Sequence, residues 1–294
     1  MLLIGVLAIS FAAPLFKLTQ PTHPLLAAAL RLTLASILWS TIAFFSGQKL
    51  ITSHQAQNRT AILCGFCYAV HFGAWVWSLG LTSIIASATL VTTTPIMLAV
   101  IALLSGRDKP DKKLLGSGLI ACCGISVFAF DHQGQLEFLY GDLLALLGAL
   151  AMVPYLLLTR ALGSQLQLAP FSAIATLIGA LTLWLIIALF LPPEALHYPS
   201  TQAILALIGL ALIPQMIGHS ALTVSLRFFT PTEVGLATLL EPLGASLLGW
   251  LWLNETLSAW SLLASLLTLM GVTLALRLKR QTQENGVAIS QQDS

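Results

Sequence analysis

Charged residues are scarce in this sequence, because Asp, Glu, Lys and Arg together make up 8% of its 294 residues. A soluble domain carries about 25% charged residues, so the composition excludes that class. Hydrophobic residues account for 57% of the chain, and its mean hydropathy is +0.90. The chain is therefore expected to be an integral membrane protein. Its net charge of +2 gives no indication of a nucleic-acid partner, and none is expected.

Cysteine is also rare, and its placement excludes two classes of site. Cys64, Cys67, Cys122 and Cys123 all lie inside apolar runs, whereas a disulfide framework is typical of small, loop-rich secreted domains. The Cys64-x-x-Cys67 pair has no acid or His partner at metal-ligand spacing, so we interpret these residues as small side chains at a helix contact. No metal or other cofactor is expected.

Catalytic and nucleotide-binding motifs are missing as well. The sequence has no Walker loop, which argues against ATP as an energy source, and its polar residues within apolar runs are scattered singly. An enzyme is therefore not expected. The first residues, 1–4, lack the basic region of a signal peptide, and Pro14 interrupts the run that follows, so this run is interpreted as a first membrane span.

What the sequence does contain is a series of apolar runs separated by polar or Pro-rich breaks. About 20 helical residues cross the hydrocarbon core of a bilayer. The runs predict an all-α polytopic membrane bundle of ten transmembrane helices, at 2–19, 24–45, 60–80, 82–105, 113–130, 140–161, 170–191, 201–225, 232–253 and 259–278. The polar residues 281–294 are predicted to form a disordered cytoplasmic tail.

Basic residues show a strong bias along the chain. Apart from Lys17 and Arg31, they all fall in the even-numbered connections or at the C-terminal end: Lys49, Arg59, Arg107, Lys109, Lys112, Lys113, Arg160, Arg227, Arg277, Lys279 and Arg280. Cytoplasmic connections carry an excess of Lys and Arg. Both termini are therefore predicted to be cytoplasmic, in a bacterial cytoplasmic (inner) membrane.

An internal repeat appears when the chain is shifted by 147 residues. The shift places Pro95 on Pro242, Gly124 on Gly271 and Asp108 on Glu255, without a gap. It predicts two halves of five helices, residues 1–130 and 140–278. Because five is odd, the halves must be inserted in opposite directions, an arrangement typical of secondary transporters whose substrate site lies where the halves meet.

Glu241 is the most informative residue, since it lies in the middle of the ninth run. A charged group at mid-bilayer costs about 2.5–3.5 kcal/mol, so it is expected to face a bundle interior or a watery cavity. Pro242 follows and removes a helix hydrogen bond, which favours a broken helix beside a shared site, together with its repeat partner Pro95. Thr94 occupies the position of Glu241 in the other half. The alternative is that Glu241 is protonated and only links two helices by a hydrogen bond.

Other polar and aromatic residues within spans are further candidates for substrate binding or coupling. Arg31 is expected to pair with an acid, carbonyls or a substrate, or to extend towards the membrane surface. His71 is placed to bind substrate or relay protons, or to hydrogen-bond between helices. Tyr68 lies near it, and of Trp75 and Trp77, which point to different faces of the helix, at most one can line a cavity.

With ten spans and an inverted repeat, the chain resembles the EamA-type branch of the drug/metabolite transporter superfamily. The resemblance covers the chain to about residue 278 and depends on four features: Arg31 after Pro24, Gly141-Asp142-Leu143-Leu144-Ala145-Leu146, Leu240-Glu241-Pro242 and Asn254-Glu255-Thr256-Leu257. It implies a bundle of two repeats that carries small metabolites or drugs, often outward.

Together these observations predict a secondary active transporter that moves a small metabolite, such as an amino acid or related compound, by alternating access. Its partners would be the lipid bilayer, the substrate, and protons or another coupling ion. The alternative is a membrane scaffold or sensor that retains the fold without transport.

Overall fold

The computed structural model describes residues 1–104, 112–131, 136–256 and 258–292, and within these ranges every regular element is helical. The predicted all-α fold is therefore confirmed. Each predicted span corresponds to one helical unit, and several units consist of consecutive pieces. The units are α1 (Leu2–Ile9 and Ala12–Lys17), α2 (Pro24–Phe45), α3 (Gln55–Leu81), α4 (Ile84–Val91 and Thr94–Leu104), α5 (Lys112–Asp131), α6 (Leu136–Leu162), α7 (Leu168–Phe190), α8 (Thr201–Leu210, Ala211–His219 and Ser220–Ser225), α9 (Pro231–Thr238 and Glu241–Leu253) and α10 (Ala259–Gln292).

The described helices differ in how well each could cross a membrane alone. Five are long and apolar enough to do so, namely α2, α3, α6, α7 and α8. Shorter apolar stretches occur in α1, α4 and α10. The interruptions in α1 and α4 shorten their regular pieces, and backbone of this kind is tolerated at membrane depth where protein surrounds it.

The observed bounds differ from the predicted spans in two places. Helix α3 begins at Gln55 rather than near residue 60, and α10 continues to Gln292, through most of the segment predicted to be a disordered tail. Residues 281–292 contain no proline and one glycine, so no strong helix breaker ends α10 at the membrane surface. The basic connection 105–111, which includes Asp108, lies outside the described residues.

Helices α4 and α9 reproduce the internal repeat residue by residue. The 147-residue offset maps the first piece of α4, Ile84–Val91, onto the first piece of α9, Pro231–Thr238, and places Thr94 on Glu241. The N-terminal caps correspond as well. The hydroxyl of Ser83 accepts a hydrogen bond from the backbone N–H three residues later, and the hydroxyl of Thr230 does the same. Both halves therefore break the equivalent helix at the equivalent residues.

Helices α5 and α10 are related by the same offset and cross each other closely. A Cβ atom on Gly124 would lie 2.4 Å from the backbone nitrogen of Thr268, and one on Gly271 would lie 2.4 Å from that of Ala121. The offset places Ala121 on Thr268, so the two contacts are reciprocal. Gly124 contacts Thr268, and Ala121 contacts Gly271, so the contacts run in opposite directions along α5 and α10. The two helices are therefore antiparallel where they cross. Equivalent helices that cross in this way are related by a two-fold axis perpendicular to them, as oppositely inserted halves require.

Candidate functional site

A cavity lies between the two halves of the bundle, beside the breaks in α4 and α9. Its empty volume is about 710 Å³, including the part that is continuous with its mouth. Helices α1, α3, α4, α6, α8 and α9 contribute its walls. The lining residues are Ile9, Ala12, His71, Trp75, Val91, Thr92, Thr94, Met152, Tyr155, Leu156, His219, Leu222, Thr223, Val234, Gly235, Thr238 and Glu241.

Glu241 is the one acidic side chain in this wall, among the residues that the structure describes. It is the first residue of the second piece of α9, and it is 8% exposed. The described part of the chain supplies no Lys or Arg nitrogen within 4.0 Å of its carboxylate and no hydrogen-bond donor to it. The first turn of a helix favours a negative charge. Glu241 therefore presents its carboxyl group to the cavity without a direct hydrogen-bond or ion-pair partner among the described residues.

Thr94 also lines the cavity, at the equivalent position of α4. Its hydroxyl donates to the carbonyl oxygen of Ala149 at 3.1 Å, so α4 is joined to α6 at the break. Pro95 is buried and does not line the cavity. It packs against Gly235, where an added Cβ would lie 2.5 Å from the proline ring, so the two broken helices approach closely at this point.

The second proline of the repeat is likewise a structural neighbour of the cavity rather than a part of its wall. Pro242 occupies the first turn of the second piece of α9. Backbone N–H groups in a first turn have no partner within the helix, so the missing N–H of proline costs no helix hydrogen bond. Leu239 and Leu240 separate the two pieces of α9. Pro242 thus favours a fresh helix start beside Glu241.

Arg31 is fully buried behind the cavity wall and does not reach the membrane surface. Its Nη2 donates to Oε1 of Gln215 at 2.9 Å, and its guanidinium lies 4.1 Å from the ring centre of Phe72. Nε and Nη1 are buried without a hydrogen-bond partner in the described residues. Arg31 interacts electrostatically with Glu241 across more than 4 Å. Of the predicted alternatives, the structure therefore excludes extension to the surface, and the partner is an amide rather than an acid.

Gln215 is held in position by an unusual helical piece. It lies in the π-helical segment Ala211–His219, directly after Pro214. Segments of this kind are frequent at functional sites. Here the segment carries both Gln215, which contacts Arg31, and His219, which lines the cavity.

His71 and Trp75 form one face of the cavity. Their rings stack with centroids 5.9 Å apart, and a ring nitrogen of His71 lies 2.9 Å from the carbonyl oxygen of Gly148 on α6. The indole N–H of Trp75 is buried without a hydrogen-bond partner in the described residues. Trp77 is 39% exposed and packs on the ring of His23, so Trp75 is the tryptophan of the pair that lines the cavity.

A chain of hydroxyl groups runs behind this face. Tyr68 donates to the hydroxyl of Tyr155 at 2.7 Å, and that hydroxyl lies 2.7 Å from Oγ1 of Thr223. The two tyrosine rings are stacked, with centroids 4.7 Å apart. These hydrogen bonds join α3, α6 and α8. If one of the three helices moves, either the other two move with it or the hydrogen bonds break.

The structure brings four of the eight predicted residues into the cavity wall: Glu241, His71, Trp75 and Thr94. Tyr68 and Arg31 lie directly behind the wall, and Pro95 and Pro242 shape the helix breaks. Sequence reasoning missed Tyr155, Gln215 and Thr223. The signal available for two of them was a proline directly before the residue, at Pro154 and Pro214, inside an apolar run.

Three charged residues outside the cavity wall make contacts at helix ends. Glu233 caps α9 through Thr230, and Glu255 accepts a hydrogen bond from the backbone N–H of Ile84 at 2.9 Å, so both act as caps or loop contacts. Lys17 reaches the same loop as Glu255. Its ammonium donates to the carbonyl oxygen of Thr82 at 3.3 Å and lies 3.9 Å from the carboxylate of Glu255.

Comparisons with known proteins place the whole chain in one family. The model of the EamA-like transporter family matches residues 1–130 and 139–277. A curated relative, the uncharacterized transporter YdfC of Bacillus subtilis (strain 168), is 29% identical over 189 residues, which are 63% of this chain and 60% of the relative. The match thus spans less than two thirds of that relative.

The overall fold also has a counterpart among solved structures. One crystal structure superposes with a TM-score of 0.69 at 17% identity, and the match covers 95% of this chain and 96% of the other chain. A likeness at this identity concerns the fold alone. The two-repeat helical membrane architecture, the interrupted helices beside a central cavity and the family match agree, and the chain belongs to the EamA-like transporter family.

Proposed function

We propose that this protein is a secondary active transporter that carries a small metabolite, of the class of amino acids and related compounds, across the cytoplasmic membrane by alternating access. The observation that carries the proposal is the position of the cavity. It lies where two oppositely directed helix breaks meet, and an acidic side chain without a direct hydrogen-bond or ion-pair partner among the described residues faces it. Family membership supports a membrane transporter in general.

The cavity extends towards one end of the bundle. Its lining includes Leu222 and Thr223 near the end of α8, and Val234 and Gly235 near the beginning of α9. The bias of basic residues assigns the connection between these helices to the cytoplasm. With this orientation we assign the structure to an inward-facing conformation, and the position of these lining residues supports the assignment.

The opposite end of the bundle is crossed by polar contacts. Lys17 and Glu255 lie 3.9 Å apart, and Glu255 also caps α4 at Ile84. The hydroxyl of Thr82 donates to Asp142 at 3.1 Å. These contacts join α1, α4, α6 and the connection before α10, so they close the side that the charge bias assigns to the outside. Alternating access requires them to open when the cytoplasmic side closes.

Coupling is assigned to Glu241, with protons as the ion. A carboxylate that changes partner during the cycle can bind substrate in one step and a proton in another, whereas a group fixed in one state exchanges nothing. His71 and His219 share the cavity and offer further sites for protons.

Counterflow into liposomes tests transport directly. Purified protein is reconstituted, the vesicles are loaded with an unlabelled compound, and uptake of the same labelled compound is followed for amino acids, amines and nucleosides in turn. Uptake above that of protein-free vesicles for at least one compound is expected. Failure with every class, from protein that remains folded, would favour a scaffold or sensor instead.

Reporter fusions test the orientation separately. An activity reporter placed after Ser53 is expected to report the cytoplasm, and one placed after the fully exposed Tyr198 is expected to report the outside. The reverse pattern would overturn the orientation and, with it, the inward-facing assignment.

A further inference from the structure

We propose that the cavity selects a small organic cation, namely a primary amine with an apolar or aromatic body and no carboxylate. This inference rests on the proposed function, because it names the substrate class of the same cavity. Within the proposed class of amino acids and related compounds, it assigns the higher affinity to amines that lack a carboxylate.

The charge of the cavity wall carries the first step. Among the described residues that line it, Glu241 is acidic and none is Lys or Arg. The other polar residues in the lining carry hydroxyl groups or imidazole rings, apart from the indole of Trp75. A carboxylate that faces a mostly apolar cavity attracts a cation strongly, because little water competes there.

The burial of Arg31 carries the second step. A zwitterion would need a cationic partner for its carboxylate, and Arg31 is the nearest such group. Its guanidinium already donates to Gln215, its face is covered by Phe72, and the side chain is fully buried and does not line the cavity. A substrate carboxylate therefore cannot reach Arg31 in this conformation, and an amine needs no such contact.

The aromatic walls carry the third step. Trp75 and Tyr155 both line the cavity, and His71 stacks on Trp75. Aromatic faces attract ammonium groups by about 0.5–2 kcal/mol, and they also pack against aromatic substrate rings. The wall thus favours both the charged head and the apolar body of an amine.

A set of four ligands that share one phenyl ring tests the charge preference. The probes are phenethylamine (cation), 2-phenylethanol (neutral), 3-phenylpropanoate (anion) and phenylalanine (zwitterion), and binding to the full-length protein in detergent is measured by calorimetry. Phenethylamine is expected to bind at least tenfold more tightly than each of the other three. If phenylalanine binds as tightly as phenethylamine, the proposal is overturned. The absence of phenethylamine binding at about 10 mM would overturn it as well.

Matched variants assign the preference to Glu241. Glu241→Gln is expected to lower the affinity for phenethylamine at least tenfold and to leave that for 2-phenylethanol within about twofold. Glu233→Gln removes a carboxylate from the same helix, outside the cavity, and is expected to leave all four affinities unchanged. Retained preference for the amine in Glu241→Gln would contradict the assignment.

The outcomes separate this inference from the proposed function. Transport of amino acids by counterflow without any preference for amines would refute the cation site and leave the transporter standing. Amine binding that depends on Glu241, without counterflow of any compound, would refute transport and leave the cation site standing.

Discussion

The break in α4 and the break in α9 have the same backbone and different chemistry. In each helix two residues separate the first piece from the second. The second piece begins with a residue followed by proline, Thr94-Pro95 in one half and Glu241-Pro242 in the other. Thr94 donates its hydroxyl to the carbonyl of Ala149, whereas the carboxylate of Glu241 faces the cavity without a protein donor in the described residues. The threonine is committed to the scaffold, and the glutamate is free to bind a ligand.

This difference shows which features must be the same in both repeats and which features can differ between them. Opposed halves can exchange conformations only if their breaks and crossings match, so the positions of Pro95, Pro242, Gly124 and Gly271 are set by the repeat. A single bound substrate needs only one charged partner, and a second buried carboxylate would add a cost of about 2.5–3.5 kcal/mol. Variants that disturb the shared scaffold should therefore behave alike in both halves, and variants at the break should not.

The largest effect is expected where the scaffold is shared. Gly124→Ala and Gly271→Ala each place a Cβ 2.4 Å from backbone of the other helix, so α5 and α10 must move apart. Overpacking of this kind costs about 1–3 kcal/mol. Both variants should lower the unfolding temperature in detergent by similar amounts.

Gly116 provides the matched control, because it lies on the same helix as Gly124 and an added Cβ meets nothing within 4 Å. Gly116→Ala is expected to leave stability unchanged or slightly raised, since alanine favours helix. Unequal losses for the two crossing variants would break the argument that the halves are related by a two-fold axis.

Glu241→Gln is expected to have the next largest effect. It keeps the shape and hydrogen-bonding capacity of the side chain and deletes its charge. We expect normal abundance in the membrane and transport reduced at least tenfold, which corresponds to about 1.4 kcal/mol in the limiting step. Initial rates of counterflow across a pH series measure this.

The alternative role for Glu241, a hydrogen bond that only links helices, makes opposite predictions. In that case Gln should serve nearly as well as Glu, and Glu241→Leu should lower abundance. Full transport by the Gln variant with an unchanged pH dependence would remove the functional role and leave the fold unaffected.

The positions of these breaks could be predicted from the sequence, and the surroundings of Arg31 could not. A proline after a polar residue at mid-span, repeated at a fixed offset, is a local signal with a local cause, since proline cannot complete the helix ladder. The partner of Arg31 is Gln215, 184 residues away, on a π-helical piece. Such a contact depends on how α2 and α8 pack, and no local pattern contains that information.

The same distinction explains the other outcomes. Helical period alone showed that Trp75 and Trp77 cannot share a face, but only the packing of α3 against α6 decides which one meets the cavity. The extension of α10 to Gln292 went unpredicted because polarity marks the end of a membrane span, not the end of a helix.

Thr94→Val sharpens the comparison with Glu241 at the equivalent position. The substitution keeps the shape and removes a hydroxyl that bonds a carbonyl of α6. Hydrogen bonds between membrane helices average about 0.6 kcal/mol, so transport should fall about threefold or less. Counterflow at the substrate concentration used for Glu241→Gln measures the ratio. A tenfold loss in the valine variant would mean that the two breaks are functionally equal after all.

The smallest effect is expected at Lys17 and Glu255, which connect α1 to the capped start of α4. The two side chains are 22% and 21% exposed and lie 3.9 Å apart, near the limit for an ion pair, so we expect a contribution no larger than that of a surface pair, about 0.2–1 kcal/mol. Lys17→Gln should therefore lower stability by that amount at low salt, and the difference from the unmodified protein should shrink without vanishing at about 1 M salt, because salt screens a partly buried pair less than an exposed one. Glu255→Gln should cost no more, because its amide oxygen can still accept from Ile84. Thermal unfolding at two salt concentrations measures both.

A weak contact suits a closure that must open in every transport cycle. A loss of transport greater than tenfold in Lys17→Gln at unchanged stability would instead show that Lys17 acts on the substrate itself.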